Sequence, residues 1–342
     1  MTPQQFRQQH SDFFYLDAEA PGEIAQYLES RAQLEPGETL QRCSRAGDGN
    51  MNCVVRVQTT QRTRILKQAR PWVEKYPHIA APWDRILREA KFLHLAARDP
   101  ELAAGLPALE FLDPPNRLAI FEDLGTEPTL TGLYDLEPLG GDEAAALGTW
   151  LRRLHTLDVQ GESFPNSDMR ALNHEHIFEF PLRADNELDL EAITPGLEAA
   201  AREIQADAAL CAEIRRLGRE VYLADSGTSL LHGDFFPGSW LRSGGRIYII
   251  DPEFGFIGRP EFDIGVALAH FTLARQPDSV MKGFISGYGA DNDAELALQL
   301  AGIEMIRRLI GVAQLPLKAD MPQKRAWLAQ ARQWILNPAA GA

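Results

Sequence analysis

The sequence predicts an α+β fold in two lobes, a small sheet-containing one at the N-terminus and a larger, mainly helical one after it. Three observations predict it. Short apolar runs bounded by turn residues, the mark of strands, fall before Gly125. Apolar spacings of three and four residues, the mark of helices, dominate from there to the end. A chain of 342 residues, 45% of them hydrophobic, can bury a core in each of two lobes. The boundary is placed after Asp123, giving lobes of residues 1–123 and 124–342.

Helix-compatible segments run to about Glu35 and are followed by the glycine-containing "RAGDGNMNCVVRV", the polar turn "QTTQRT" and "RILKQ". This is a hairpin with a phosphate-sized loop at its entrance. A helix fits Ala81–Ala97, where Ile86, Ala90, Leu93 and Ala97 fall near one face. "RLAIF" reads as a strand and "EDLG" after it as a short hinge, while "PALEFLDPPNR" and "DLEPLGGDE" read as loops. Helices follow at Gly141–Leu157, Pro195–Leu217, Phe262–Leu273, Asp293–Val312 and Pro322–Ile335. Between them "SWLR", Ser243-Gly244-Gly245 and "RIYII" form one small hairpin.

Forty-eight acidic against 34 basic residues leave a formal charge of -14, which argues against a nucleic-acid partner bound through a basic surface. The first residues have no basic segment ahead of an apolar core, and no run approaches the roughly 18 apolar residues that cross a membrane. A cytoplasmic protein without a membrane partner is expected. Cys43, Cys53 and Cys211 form neither a CxxC pair nor a disulfide framework and read as small core residues.

The chemistry concentrates in "LLHGDFFPGSWLRSGGRIYIIDPEFGF", which gathers His232, Asp234, Ser239, Asp251 and Glu253 among apolar and turn residues. Buried carboxylates cost several kcal/mol unless paired, so these acids want a cation, a metal or a reaction. Phosphoryl transfer needs backbone donors around phosphate, a cation, metal-binding oxygens and a residue to orient the attacking hydroxyl. Each has a candidate. Gly47 and Gly49 would let a backbone turn closely around phosphate, with Asn50 and Asn52 adding polar groups, although taken alone the loop reads sooner as an ordinary pair of turn glycines and this is no Walker A motif. Lys67 ends the "RILK" strand and Glu89 lies on the next helix; each alone reads as surface, but their order after the glycine loop suits a phosphate contact with its partner. Lys67→Ala is therefore expected to weaken nucleotide use and leave the fold standing. Glu122 and Asp123 solvate the hinge, with main-chain groups there suited to an adenine edge.

Asp234, before a turn, is placed to accept or orient a hydroxyl proton, with His232 supporting the loop and Ser239 organising the loop or a metal. Asp251 and Glu253 flank Pro252 and offer hard oxygens to Mg²⁺. Arg259 adds positive potential or pairs with Glu261 or Asp263, and Asp263 reads as a loop-organising acid. His155 reads as a packed or capping histidine, and "HEH" at 174–176 lacks the HExxH spacing of a zinc hydrolase.

"GDGNMN", "LKQARPWVEKYP", "HGDFFPGS" and "IDPEFGFIGRPEFDIG" together resemble the methylthioribose kinase branch of the aminoglycoside/choline kinase-like phosphotransferases. The resemblance runs from Gly47 to Gly311 and is densest from His232 to Gly265. It implies a bilobal, protein-kinase-like fold and ATP- and Mg²⁺-dependent transfer to a small-molecule hydroxyl, that of a sugar before other alcohols. It carries over Asp234 as catalytic base, Lys67 as an ATP phosphate contact partnered by Glu89, Asp251 as a central Mg²⁺ ligand and Glu253 as a second metal-associated acid. Ser239 stands where the wider superfamily has asparagine and agrees with this branch. "EMIRRLIGVAQ" resembles its twin-arginine region, which makes Arg307 and Arg308 sugar-side contacts; by composition alone, adjacent arginines read as helix surface. Phe235 and Phe236 replace more polar residues and read as core or as apolar selection for a methylthio group. A choline, nucleoside or aminoglycoside kinase and a nucleotide-binding regulator without turnover are the competing readings, and self-association as a homodimer stays open.

Overall fold

The computed structural model describes residues 3–47, 51–290 and 292–340. Gly49 and Asn50 of the glycine loop lie outside the described residues. The chain divides into two compact units, Met1–Pro128 and Thr129–Ala342.

In the first unit α1 (Pro3–Gln9) and α2 (Pro21–Ser30) precede β1 (Leu40–Arg45), β2 (Cys53–Thr59) and β3 (Thr63–Gln68). A ribbon of β4 (Trp72–Val73) and β5 (Tyr76–Ala80), helices α3 (Arg85–Ala96) and α4 (Pro100–Ala103), and strands β6 (Leu109–Asp113) and β7 (Leu118–Glu122) follow. The main sheet is antiparallel in the order β1-β2-β3-β7-β6. The loop expected at "PALEFLDPPNR" is corrected to the edge strand β6, because Pro107 and Pro114 lie outside its ends and remove no ladder donor. Period-two alternation buries Cys53, Val55, Val57, Leu66, Leu118 and Ile120 on one face against Leu16, Ile24 and Leu28. Lys67, next to Leu66 in the central strand and opposite Val54 and Ala119, is thereby turned to the other face.

The second unit is helical: α5 (Gly141–Thr156), α6 (Ser167–His174), α7 (Leu190–Ile193), α8 (Leu197–Ala206), α9 (Ala208–Leu217), α10 (Glu261–Leu273), α11 (Asp278–Tyr288), α12 (Ala294–Ile310) and α13 (Met321–Leu336). The single helix expected at Pro195–Leu217 is two, because Asp207 turns extended and its carboxylate accepts the Leu210 N–H as the cap of α9. Helices α5 and α11 approach closely: a Cβ on Gly148 or on Gly287 would lie 2.1 Å from a carbonyl oxygen of the other helix. Helix α10 is apolar nearly all round and buried, packing on α12, which packs in turn on α13. Two short ladders stand among the helices, β8 (Ser229–Leu231) with β11 (Phe256–Gly258), and β9 (Trp240–Ser243) with β10 (Arg246–Ile249). The β9–β10 turn is Gly244-Gly245, both at positive φ as a two-residue hairpin requires. Among the described residues no helix is long and apolar enough to cross a membrane.

Candidate active site

The first unit carries a buried cation. Lys67 Nζ lies 2.7 Å from Glu89 Oε2, with both side chains about 95% buried, at 5% and 4% exposure. Period two in β3 and the helical face of α3 bring them together. Gly47 adopts φ 68°, the left-handed region that a glycine tolerates best. The polar role expected of Asn52 at phosphate needs correction: Asn52 is buried and its Oδ1 accepts from Arg85 Nε at 2.8 Å. Arg85, fully buried at the start of α3, also donates to the carbonyls of Met51, Arg70 and Pro82, which anchors the chain just after the glycine loop.

The segment after β7 is also tied down. Glu122 Oε1 accepts the Ala108 N–H at 2.8 Å while its own N–H bonds Ala108 O at 3.0 Å. These two groups are therefore both engaged by Ala108. Asp123 does not solvate a hinge as expected but takes a two-point bond from Arg56, at 2.7 and 2.9 Å, and Arg56 also reaches Gly125 O.

In the second unit the loop after β8 is held from beneath. Asp263, at the start of α10, accepts the His232 N–H at 2.6 Å and the Gly233 N–H at 2.9 Å, and its Oδ2 lies 3.2 Å from His155 Nε2. His155 is in turn 2.9 Å from the Tyr288 hydroxyl. Gly233 sits at φ 84° with its Cα against Phe254, where a Cβ would lie 2.2 Å from the carbonyl oxygen. His232 is fully buried; its Nε2 donates to Ile250 O at 3.0 Å, so Nδ1 is the nitrogen that accepts the Asp234 N–H at 3.3 Å. Burial lowers its pKa and keeps the ring neutral. Ser239 Oγ donates to the Asp234 carbonyl at 2.8 Å, closing the turn that displays the Asp234 side chain.

Both twin arginines are buried, which corrects the surface reading that adjacency alone suggested. The last turns of α12 are enclosed on all faces, so neighbouring positions both point inward. Arg308 donates to Asp234 Oδ1 at 3.1 Å, and Arg307 lies 3.6 Å from the same oxygen. Arg308 also donates through Nε to Glu304 Oε1 at 2.5 Å, and Arg307 reaches both Glu304 oxygens at 3.2 and 3.1 Å. Two carboxylates thus balance two guanidiniums. Among the described residues Asp234 Oδ2 is left without a bond and the buried Arg307 Nε has no partner. Phe235 is core, stacked on Trp150, whereas the Phe236 ring lies 4.7 Å from the Arg308 guanidinium carbon.

Asp251 is exposed and holds φ 60°, in the left-handed region, just ahead of Pro252. Glu253 is buried, and Asn166 Nδ2 pins its carbonyl at 2.9 Å and that of Gly255 at 2.8 Å. Among the described residues no three His, Cys, Asp or Glu side chains form a metal-holding group, "HEH" included. An exposed carboxylate such as that of Asp251 suits a hard cation that completes its shell with water and phosphate oxygens, as Mg²⁺ does. Arg259 pairs with Glu261 at 3.0 Å.

The profile of the phosphotransferase enzyme family, APH, matches residues 42–298 and so spans both the Lys67–Glu89 pair and the Asp234 loop. The chain belongs to this family. A methylthioribose kinase from Exiguobacterium sibiricum is 28% identical to this phosphotransferase over 328 residues, covering 81% of this chain and 80% of the relative. One from Escherichia coli is 29% identical over 269 residues, covering 72% of this chain and 62% of its own, so that the phosphotransferase spans less than two thirds of that relative. Among solved structures, spectinomycin phosphotransferase with ADP and spectinomycin superposes with a TM-score of 0.53 at 14% identity, covering 93% of this chain and 98% of that one. LicA with AMP gives 0.52 at 16% identity, covering 93% and 100%. These likenesses show the fold, the protein-kinase-like α+β arrangement expected from the sequence.

Sequence reasoning missed the residues behind the candidate site. Arg85 was read only as a helix residue, and Glu304, His270 and Tyr134 were not singled out. Glu304 left a signal, since it stands three and four positions before the twin arginines.

Proposed function

We propose that the protein transfers the γ-phosphoryl group of ATP to a hydroxyl of a small sugar, 5-methylthioribose or a close analogue, with Mg²⁺ as the metal. The observation that carries this reading is the convergence of two buried arginines on one oxygen of Asp234, leaving Oδ2 for an acceptor hydroxyl. The names of the relatives support the sugar as acceptor.

The acceptor oxygen attacks the γ-phosphorus, the bond from phosphorus to the bridging oxygen breaks, ADP leaves and the hydroxyl proton passes to Asp234. Transfer of this kind has a loose transition state, so orientation of the hydroxyl matters more than early removal of its proton. Lys67, fixed by Glu89, would hold phosphate oxygens, and Asp251, with Glu253 as a second acid two residues on, would hold the metal. Mg²⁺, when bound, neutralises charge that develops on the phosphate oxygens. Ser239 keeps the Asp234 loop in shape. Arg307 and Arg308 orient Asp234 and meet the sugar.

Incubation with Mg²⁺-ATP and each of 5-methylthioribose, related pentoses, nucleosides, choline and aminoglycosides, followed by product mass, tests the reading. A mass gain of one phosphoryl group is expected on methylthioribose or a near pentose. Product only from choline or an aminoglycoside would overturn the sugar assignment, and no product from any acceptor would favour a nucleotide-binding regulator.

A further inference from the structure

Behind the arginine pair lies a chain of buried polar groups that the phosphoryl-transfer reading does not use. The Tyr134 hydroxyl meets His270 Nδ1, and His270 Nε2 lies 3.2 Å from Glu304 Oε1. Tyr134, His270 and Glu304 are each no more than 2% exposed, on a 3₁₀ turn, α10 and α12 respectively. The direction of every bond follows from chemistry. A carboxylate only accepts, so His270 Nε2 carries the ring proton, Nδ1 is bare, and the tyrosine O–H donates to it. Burial lowers the His270 pKa to about 4, so the ring is neutral near pH 7 and supplies this one N–H. Glu304 therefore accepts from His270, Arg307 and Arg308, and its own pKa is driven well down, against the opposing effect of burial, by the two arginines and the histidine donor.

We propose that Tyr134, His270 and Glu304 form a buried positioning relay that fixes both guanidiniums against Asp234 Oδ1 and thereby sets how the acceptor hydroxyl is oriented. The proposal rests on the reading of Asp234 and the arginines as the acceptor side of the site. Adjacent helix positions project about 100° apart, so two arginines do not reach one oxygen by helix geometry alone. Glu304 gathers them: one carboxylate, three and four residues earlier, takes Arg307 through its terminal nitrogen and Arg308 through Nε. Those bonds leave Arg308 NH2 for Asp234 and Arg307 Nε unpartnered among the described residues. The carboxylate plane is set in turn by His270, whose tautomer Tyr134 selects. The Phe236 ring, centred 5.0 Å from that of His270 and packed on Arg308, closes the cluster. None of the three residues touches the reacting atoms; they act through the arginines.

The test compares His270→Phe, which keeps ring volume and loses both bonds, with His270→Gln, whose amide N–H donates to Glu304 and whose oxygen accepts from Tyr134. Steady-state kinetics are read for ATP and acceptor, with near-ultraviolet circular dichroism to confirm folding. A positioning role predicts that His270→Phe loses on the order of 10²-fold in acceptor kcat/KM with the KM for ATP unchanged, and that His270→Gln recovers most of it. A packing role predicts the reverse order, with the ring-shaped replacement the milder one, and that order would overturn the proposal. Nitrogen-15 NMR of the wild-type ring gives a readout that needs no variant: a protonated Nε2 and bare Nδ1 support the relay, and the opposite tautomer overturns it. Absence of product from the wild type would overturn the kinase reading, and the ring proton would still decide the relay.

Discussion

Asp234 owes its orientation to bonds on three sides: His232 and Ser239 hold its main chain, and Arg307 and Arg308 hold one carboxylate oxygen. Shortening Arg307 to Gln removes a directional contact beside that oxygen. Phosphorylation of the preferred acceptor should fall by a factor equivalent to about 2–4 kcal/mol, while background ATP hydrolysis holds. Parallel assays of sugar phosphate and of ADP release check this; an equal fall in both would place Arg307 outside acceptor binding. At this scale much of the candidate site was legible, because Asp234, Asp251 and Lys67 stand in short motifs whose chemistry needs those residue types, while the twin arginines came with the family resemblance. What stayed hidden were partners distant in sequence, such as Tyr134 and His270, which are 136 residues apart and bring no motif with them. Asn52 misled for the same reason: its partner Arg85 lies 33 residues on, and a polar side chain near a glycine loop looks like a ligand contact until that bond is seen.

Strand β3 and helix α3 meet through a buried ion pair, and this changes what a mutation there should do. Lys67→Ala was expected to leave the fold mostly intact, but it removes the cation 2.7 Å from the Glu89 carboxylate at a site about 96% closed to solvent, given its 4% exposure. Breaking such a pair from one side costs about 3–5 kcal/mol. Lys67→Met should therefore lose stability as well as turnover, and adding Glu89→Gln should restore most of the stability and none of the turnover. Urea unfolding beside steady-state assays separates the two; a single variant as stable as the parent would contradict the pair's burial. Elements with a clear period, such as α3, α12 and the β2–β3 hairpin, were legible in the sequence. Strand β6 was not, since its flanking prolines look like loop signals, and the α8–α9 break was not, since one capping aspartate inside a helical pattern leaves the period intact.

The whole molecule inherits a pH dependence from its buried histidines. His270 falls from the ordinary 6.5 to about 4, chiefly through burial, so between those values the unfolded chain holds a proton that the folded one does not. Its contribution to stability is then complete above about pH 6.5 and is lost as pH falls toward 4. His232, His174 and His176 are lowered too, burial again being the main cause, and act with the same sign. Urea midpoints taken from pH 7 to pH 5 should fall for the wild type and fall less steeply for His270→Gln; parallel slopes would show that His270 does not titrate differently on unfolding. The division into a sheet-bearing and a helical unit follows from where period two gives way to longer spacings, so it was legible from the start, whereas the Pro128 boundary lies past Asp123 because Arg56 clamps Asp123 and Gly125 to the sheet. The central claim is that Asp234 orients a sugar hydroxyl for phosphoryl transfer. Single-turnover reaction of Mg²⁺-ATP with 5-methylthioribose, comparing the wild type with folded Asp234→Asn, tests it most directly when nucleotide affinity is measured alongside by calorimetry. The account predicts a phosphorylated sugar from the wild type, formation about 10²–10⁴-fold slower in the variant, and unchanged nucleotide affinity; transfer by Asp234→Asn at the wild-type rate would contradict it.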